Sequence, residues 1–149
     1  KSDIIPPQYV SEDAVIERSI IGEGSEIFGE VHNSVIGAGV TVAKGAVIRD
    51  SIIMRESVIG AGSVVDKAVI AENVKIGSNV ALGVGEYAPS KYDPKVYQFD
   101  LVTVGENSII PDNVKVGKNT AVVGETIVED YPDGLLASGN YIIKAGGVK

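Results

Sequence analysis

The chain has 149 residues, one ordinary domain by size, and its 13 Lys and Arg against 20 Asp and Glu give a net charge of −7. That balance leaves no basic field to hold phosphate backbones, so no nucleic-acid partner is expected. With no cysteine and a single histidine, disulfides, thiolate zinc sites, cysteine nucleophiles and sites needing several imidazoles are excluded. No run approaches the roughly 18 apolar residues of a membrane span, and Lys1-Ser2-Asp3 does not open a signal peptide; no membrane partner is expected, and the location is read as cytoplasmic.

Residues 1–9, Lys-Ser-Asp-Ile-Ile-Pro-Pro-Gln-Tyr, carry a proline pair that favours extended backbone and read as a linker from a preceding domain. Residues 10–149 read as the domain itself. There an aliphatic residue returns every six positions, as at Val42, Ile48, Ile53, Ile59, Val65, Ile70, Ile76 and Leu82. A step of five recurs, at Ile16 to Ile21, Val31 to Ile36, Ile48 to Ile53 and Val65 to Ile70, so that Val31, Ile48, Val65 and Leu82 stand 17 residues apart. Two positions before an anchor lies a small or β-branched residue, such as Ser25, Ser51, Ser57, Ser63 or Val74; three before, Gly or Asn is frequent, as at Gly45, Gly62, Asn73 and Asn107. The last pair tolerates positive φ and suits a tight bend.

Residues six apart would spiral round a helix without forming a stripe. The period instead predicts an all-β fold, a three-sided prism of short parallel strands in about six coils, each bonded to its neighbours at about 4.8 Å. A hydrophobic content of 44% with only 5% aromatic residues suits so narrow an interior. Between Leu82 and Val102 the excursion 83–101 interrupts the repeat with Tyr87, Tyr92, Tyr97 and Phe99. Inserts this long are commonly functional or interfacial, though one that merely folds its aromatics over the prism wall is the alternative. Val104, Ile110, Val116, Val122 and Val128 resume the step of six. The tail beyond, with Leu135 to Ala137 and Tyr141 to Ala145, is expected to cap an otherwise unpaired strand edge.

Hexapeptide prisms also serve acyltransferases with a histidine base, which makes His32 a candidate. It follows anchor Val31 at a corner that Glu17, Arg49 and Asp66 occupy on other coils, and the plainer expectation is a solvated corner side chain in a ladder of charges. Gly83-Val84-Gly85-Glu86 with Ser90-Lys91 fits neither phosphate-loop spacing nor the dinucleotide fingerprint. The residue just before each anchor should point outward, and one face then reads Ile20, Val35, Ile52 and Val69, whereas the next reads Glu26, Thr41, Val58 and Lys75. An aliphatic stripe in a charged protein predicts an interface, with a preceding domain or a second subunit.

The segments Pro6-Pro7-Gln8-Tyr9-Val10, Gly29-Glu30-Val31-His32-Asn33-Ser34-Val35-Ile36, Asp50-Ser51-Ile52-Ile53-Met54, Ile109-Ile110-Pro111-Asp112 and Ser138-Gly139 resemble the C-terminal domain of bacterial glucose-1-phosphate adenylyltransferase, also called ADP-glucose pyrophosphorylase. The resemblance implies a left-handed parallel β-helix of hexapeptide repeats. It implies the oligomerising and allosteric-regulatory part of an enzyme that makes ADP-glucose and pyrophosphate from ATP and glucose 1-phosphate for glycogen synthesis. Mg and ATP would belong to that enzyme's N-terminal catalytic domain, and no cofactor, metal or catalytic residue is expected in this chain. The implied partners are that domain, further copies of the chain and a phosphorylated effector, for which Lys67 and Lys144 are the candidate residues. Guanylyl, thymidylyl and uridylyl transferases also end in hexapeptide coils and stay open as readings.

Overall fold

The computed structural model describes residues 7–144, with strands of two to four residues and two single-turn 3₁₀ segments, Val128–Asp130 and Pro132–Gly134. The strands form three parallel sheets that the chain visits in rotation. The first face carries Tyr9–Val10, Glu26–Ile27, Thr41–Val42, Val58–Ile59, Lys75–Ile76 and Ile109–Ile110. On the second lie Val15–Glu17, Glu30–His32, Val47–Arg49, Val64–Asp66, Ala81–Leu82, Lys115–Val116 and Leu135–Leu136. The third holds Ile20–Ile21, Val35–Ile36, Ile52–Ile53, Ala68–Ile70, Val102–Val104, Thr120–Val123 and Tyr141–Ile143. This is the parallel β-helix that the period of six predicts.

Anchors stack on anchors, so that Val31, Ile48, Val65 and Leu82 pair in register and all are buried. The small residues two positions earlier are buried as well, and their serines do more than fill space. Ser57 Oγ donates to the Ala71 carbonyl (2.8 Å) and accepts from the Val74 amide (3.0 Å), and Ser63 does the same with Gly77 and Val80. Each hydroxyl thus satisfies two backbone groups that a narrow corner leaves without strand partners. Among the described residues no buried side-chain nitrogen or oxygen lacks a partner. Gly24, Gly39, Gly45, Gly62, Asn73, Asn79, Asn107, Asn113 and Asn119 all have positive φ, as their place three residues before an anchor requires.

The structure departs from the sequence reading in four places. Tyr9 and Val10, the former assigned to the linker, pair with Glu26 and Ile27 as the first strand; residues 1–6 of that linker lie outside the described residues. Ile16 pairs with Val31, only 15 residues on, because Ile27 and Val31 are joined by a four-residue step through Gly29, where any side chain would run into the Ala43 and Ala46 carbonyls. Two faces hold seven strands, more than the roughly six coils counted from the anchors. The extra coil comes from the tail, in which Leu136 pairs with Val116 and Ile142 with Val122. Finally, Val128 is no anchor. It is exposed on the first 3₁₀ turn, and buried Tyr131 fills the interior instead, its hydroxyl 2.9 Å from Thr126 Oγ1. The tail therefore caps the prism partly by extending it; its residues 145–149 lie outside the described residues.

Candidate functional site

The corner between the second and third faces carries the charged ladder. Glu17, His32, Arg49 and Asp66 stand in register on successive coils, and the residues after them, Arg18, Asn33, Asp50 and Lys67, turn the corner with φ between 45° and 52°. The repeat did not mark those four as corner residues, because only Asn33 and Asp50 are of types that commonly adopt this conformation without glycine. His32 is half-buried, which corrects the expectation of a freely solvated corner side chain. Its Nδ1 lies 2.7 Å from Glu17 Oε1 and its Nε2 3.0 Å from Glu30 Oε1. The Glu30 contact first, then that of Glu17, raises the imidazole above its ordinary pKa. Both nitrogens are thereby committed to carboxylates.

Lys67 and Lys144 are not brought together. Lys67 is exposed at the start of strand Ala68–Ile70, and its backbone N–H bonds the Arg49 carbonyl. Lys144 follows the opposite end of strand Tyr141–Ile143, three strands away on the same face, or roughly 14 Å by strand spacing alone. Its Nζ donates to Asp130 Oδ2 (2.9 Å), and that carboxyl sits below the usual range because the Ile127 backbone N–H, foremost, and Lys144 both donate to it.

Ile20, Val35, Ile52 and Val69 do form one outward row on the third face, in register. Ile20 is 68% exposed, Val35 43% and Ile52 44%, while Val69 is half-buried. The row continues through Thr103 to Ala121, which is buried, and then to Tyr141. Outward aliphatics are not confined to this face: Val47, Val64 and Ala81 line the second, half-buried.

The excursion replaces one corner between the second and third faces and folds down over the later coils. Lys91 N–H bonds the Gly139 carbonyl (2.7 Å), Asn119 Nδ2 the Ala88 carbonyl (2.9 Å), and the Asp100 N–H bonds Asn119 Oδ1 (2.8 Å). The Tyr92 ring packs 4.7 Å from that of Tyr141 and 5.8 Å from that of Tyr97. Part of the aromatic content thus lies against the wall, with Tyr97 half-buried and Tyr92 still 51% exposed, whereas Tyr87 and Phe99 stand further out at 67% and 77%. Between the excursion and the second face lies a cleft of about 580 Å³ lined by Val84, Tyr87, Lys115, Leu135, Ala137 and Ser138 among others. Among the described residues no three His, Asp or Glu side chains converge as metal ligands.

Residues 6–99 match the family described as GlmU-like, C-terminal hexapeptide. The chain belongs to this family. Among curated proteins it is 62% identical to the glucose-1-phosphate adenylyltransferase of Lachnospira eligens over 98% of this chain and 34% of that protein. It is 52% identical to the one from Thermotoga maritima over 93% of the chain and 33% of the relative, and 38% identical to the one from Acetivibrio thermocellus over 95% and 33%. The chain thus spans about a third of the length of these relatives, consistent with their C-terminal domain, as the sequence resemblance implied. Among solved structures, the acetyltransferase domain of PglB from Neisseria gonorrhoeae FA1090 covers 95% of this chain and 53% of its own at a TM-score of 0.55 and 17% identity, a likeness of fold alone. No helix among the described residues is long and apolar enough to cross a membrane.

Proposed function

We propose that this domain is the oligomerising and regulatory part of a cytoplasmic glucose-1-phosphate adenylyltransferase, whose catalytic domain joins ATP, as its Mg complex, to glucose 1-phosphate and releases pyrophosphate. The identity of 62% along nearly the whole chain carries this reading. In it the prism is a rigid post, and the exposed row Ile20, Val35 and Ile52 is where the catalytic domain or another subunit packs. Lys67, exposed and among the described residues without a side-chain partner, is the better of the two candidate effector contacts; Lys144 would have to leave Asp130 to meet an anion.

Acyl transfer is the rival reading, favoured by the fold. His32 argues against it, since a general base needs an unprotonated nitrogen open to substrate, and here both nitrogens face carboxylates that favour the protonated ring. The purified chain should neither release pyrophosphate from ATP and glucose 1-phosphate nor transfer acetyl groups from a thioester donor. Either activity would overturn the proposal.

A further inference from the structure

The first coil, Tyr9–Ile21, ends the described part of the prism. Its inward residues Ala14, Ile16 and Ile21 are only partly buried, with a neighbouring coil on one side among the described residues, whereas Val31, Ile48 and Val65 are fully buried. Its amides donate across the junction, Val15 N–H to the Gly29 carbonyl (3.2 Å) and Ile20 N–H to that of Ser34 (3.1 Å), so their protection reports directly on the junction. Beside the stacked aliphatics Ile16 on Val31 and Ile21 on Ile36, the side chains bridging it are the Tyr9 and Phe28 rings 5.6 Å apart, Ser19 Oγ accepting from the Ser34 N–H (3.0 Å), and Glu17 against His32.

The Glu17–His32 contact is the one ion pair between these two coils among the described residues. We propose that His32 is a protonation-dependent clasp that fastens the first coil to the prism, so that the end bearing the entering chain loosens as the imidazole loses its charge. The groups facing the ring support this. Glu17 reaches it from the strand on one side, Glu30 from its own strand, and Arg49 stands in register on the other side, with the neighbouring Asp50 occupied by Asn33 Nδ2 (2.7 Å). A neutral imidazole has one N–H for two carboxylates, so it must surrender a hydrogen bond, and the contact it keeps loses its charge. Because the carboxylates raise the imidazole's pKa, the clasp is complete below the ordinary histidine value of about 6.5 and is lost as pH rises through the higher value of the folded state.

Amide exchange of the chain, converted to protection factors at pH 5.5 and pH 8, tests the clasp. At Val15 and Ile20 protection should fall by about two- to fivefold at the higher pH, the range of a half-exposed ion pair. Amides in the middle of the prism, such as Val47 and Val64, should not change. His32→Asn should give the lower protection at both pH values, and Glu17→Gln should remove most of the pH dependence. An undiminished fall in either variant, an equal fall in mid-prism amides, or no fall in the parent chain would overturn the clasp.

Discussion

Ser57 shows how much a single position in this prism is asked to do. It is buried, and its hydroxyl joins two coils by donating to the Ala71 carbonyl and accepting from the Val74 N–H. Ser57→Ala leaves that N–H buried without an acceptor and should cost about 1–3 kcal/mol, read as a lower urea midpoint with an unchanged slope. Ile59, wholly buried two residues on, tests the register more severely. Ile59→Asp buries a carboxylate without a partner, a penalty of several kcal/mol against the roughly 5–15 kcal/mol that hold a domain together. The variant should lose its β circular dichroism; a soluble protein with the parent spectrum contradicts the assignment. That both side chains face inward was legible from spacing. The reason for serine at 57 was not, because its partners lie 14 and 17 residues away and emerge only once the coils are stacked.

At the scale of elements, regular coils were readable wherever the step was five or six residues. The reading failed where a side changed length. The four-residue step into Val31 passes unnoticed in an average, and the tail kept the spacing of six as far as Val128 although the backbone there turns into 3₁₀ segments. Tyr131, the aromatic that closes the interior, breaks the all-aliphatic rule that located the other anchors. Asp130 holds this closure, accepting from the Ile127 N–H (2.8 Å) and from Lys144. Its lowered pKa fixes the sign of the pH effect: the stabilisation is complete above the unfolded carboxylate value of about 3.9 and disappears as pH falls through the lower folded value. Asp130→Asn should therefore reduce thermal stability at neutral pH and flatten the acid limb of the stability profile below pH of about 4. An acid limb identical to that of the parent would show that Asp130 has no part in it.

For the molecule as a whole, the outward row on the third face was legible because Ile20, Val35, Ile52 and Val69 repeat at one phase of the period. Its meaning is narrower than the pattern suggested. Exposure is greatest at Ile20 and falls as far as buried Ala121, beyond which Tyr141, in contact with Tyr92 of the excursion, is again partly open. Aliphatics at Val47, Val64 and Ala81 show that outward β-branched residues also serve strand propensity on the second face. Within this row, the continuous aliphatic surface open to a partner is therefore Ile20, Val35 and Ile52. Replacing Ile52 and Val69 together by Lys should leave the fold intact and lower the mass found by light scattering, or weaken packing of the proposed catalytic domain. Unchanged mass and unchanged activity would remove the interface from the account.

Whether this prism is the regulatory and assembly third of an adenylyltransferase is decided by domain exchange. In the Lachnospira eligens enzyme the matching 146 residues can be replaced by this chain, and ADP-glucose formation from ATP and glucose 1-phosphate measured with and without phosphorylated metabolites. The hybrid should be an oligomer of the parent's mass that makes ADP-glucose and whose response to those metabolites follows the exchanged domain. A folded, correctly assembled hybrid that makes no ADP-glucose would contradict that assignment.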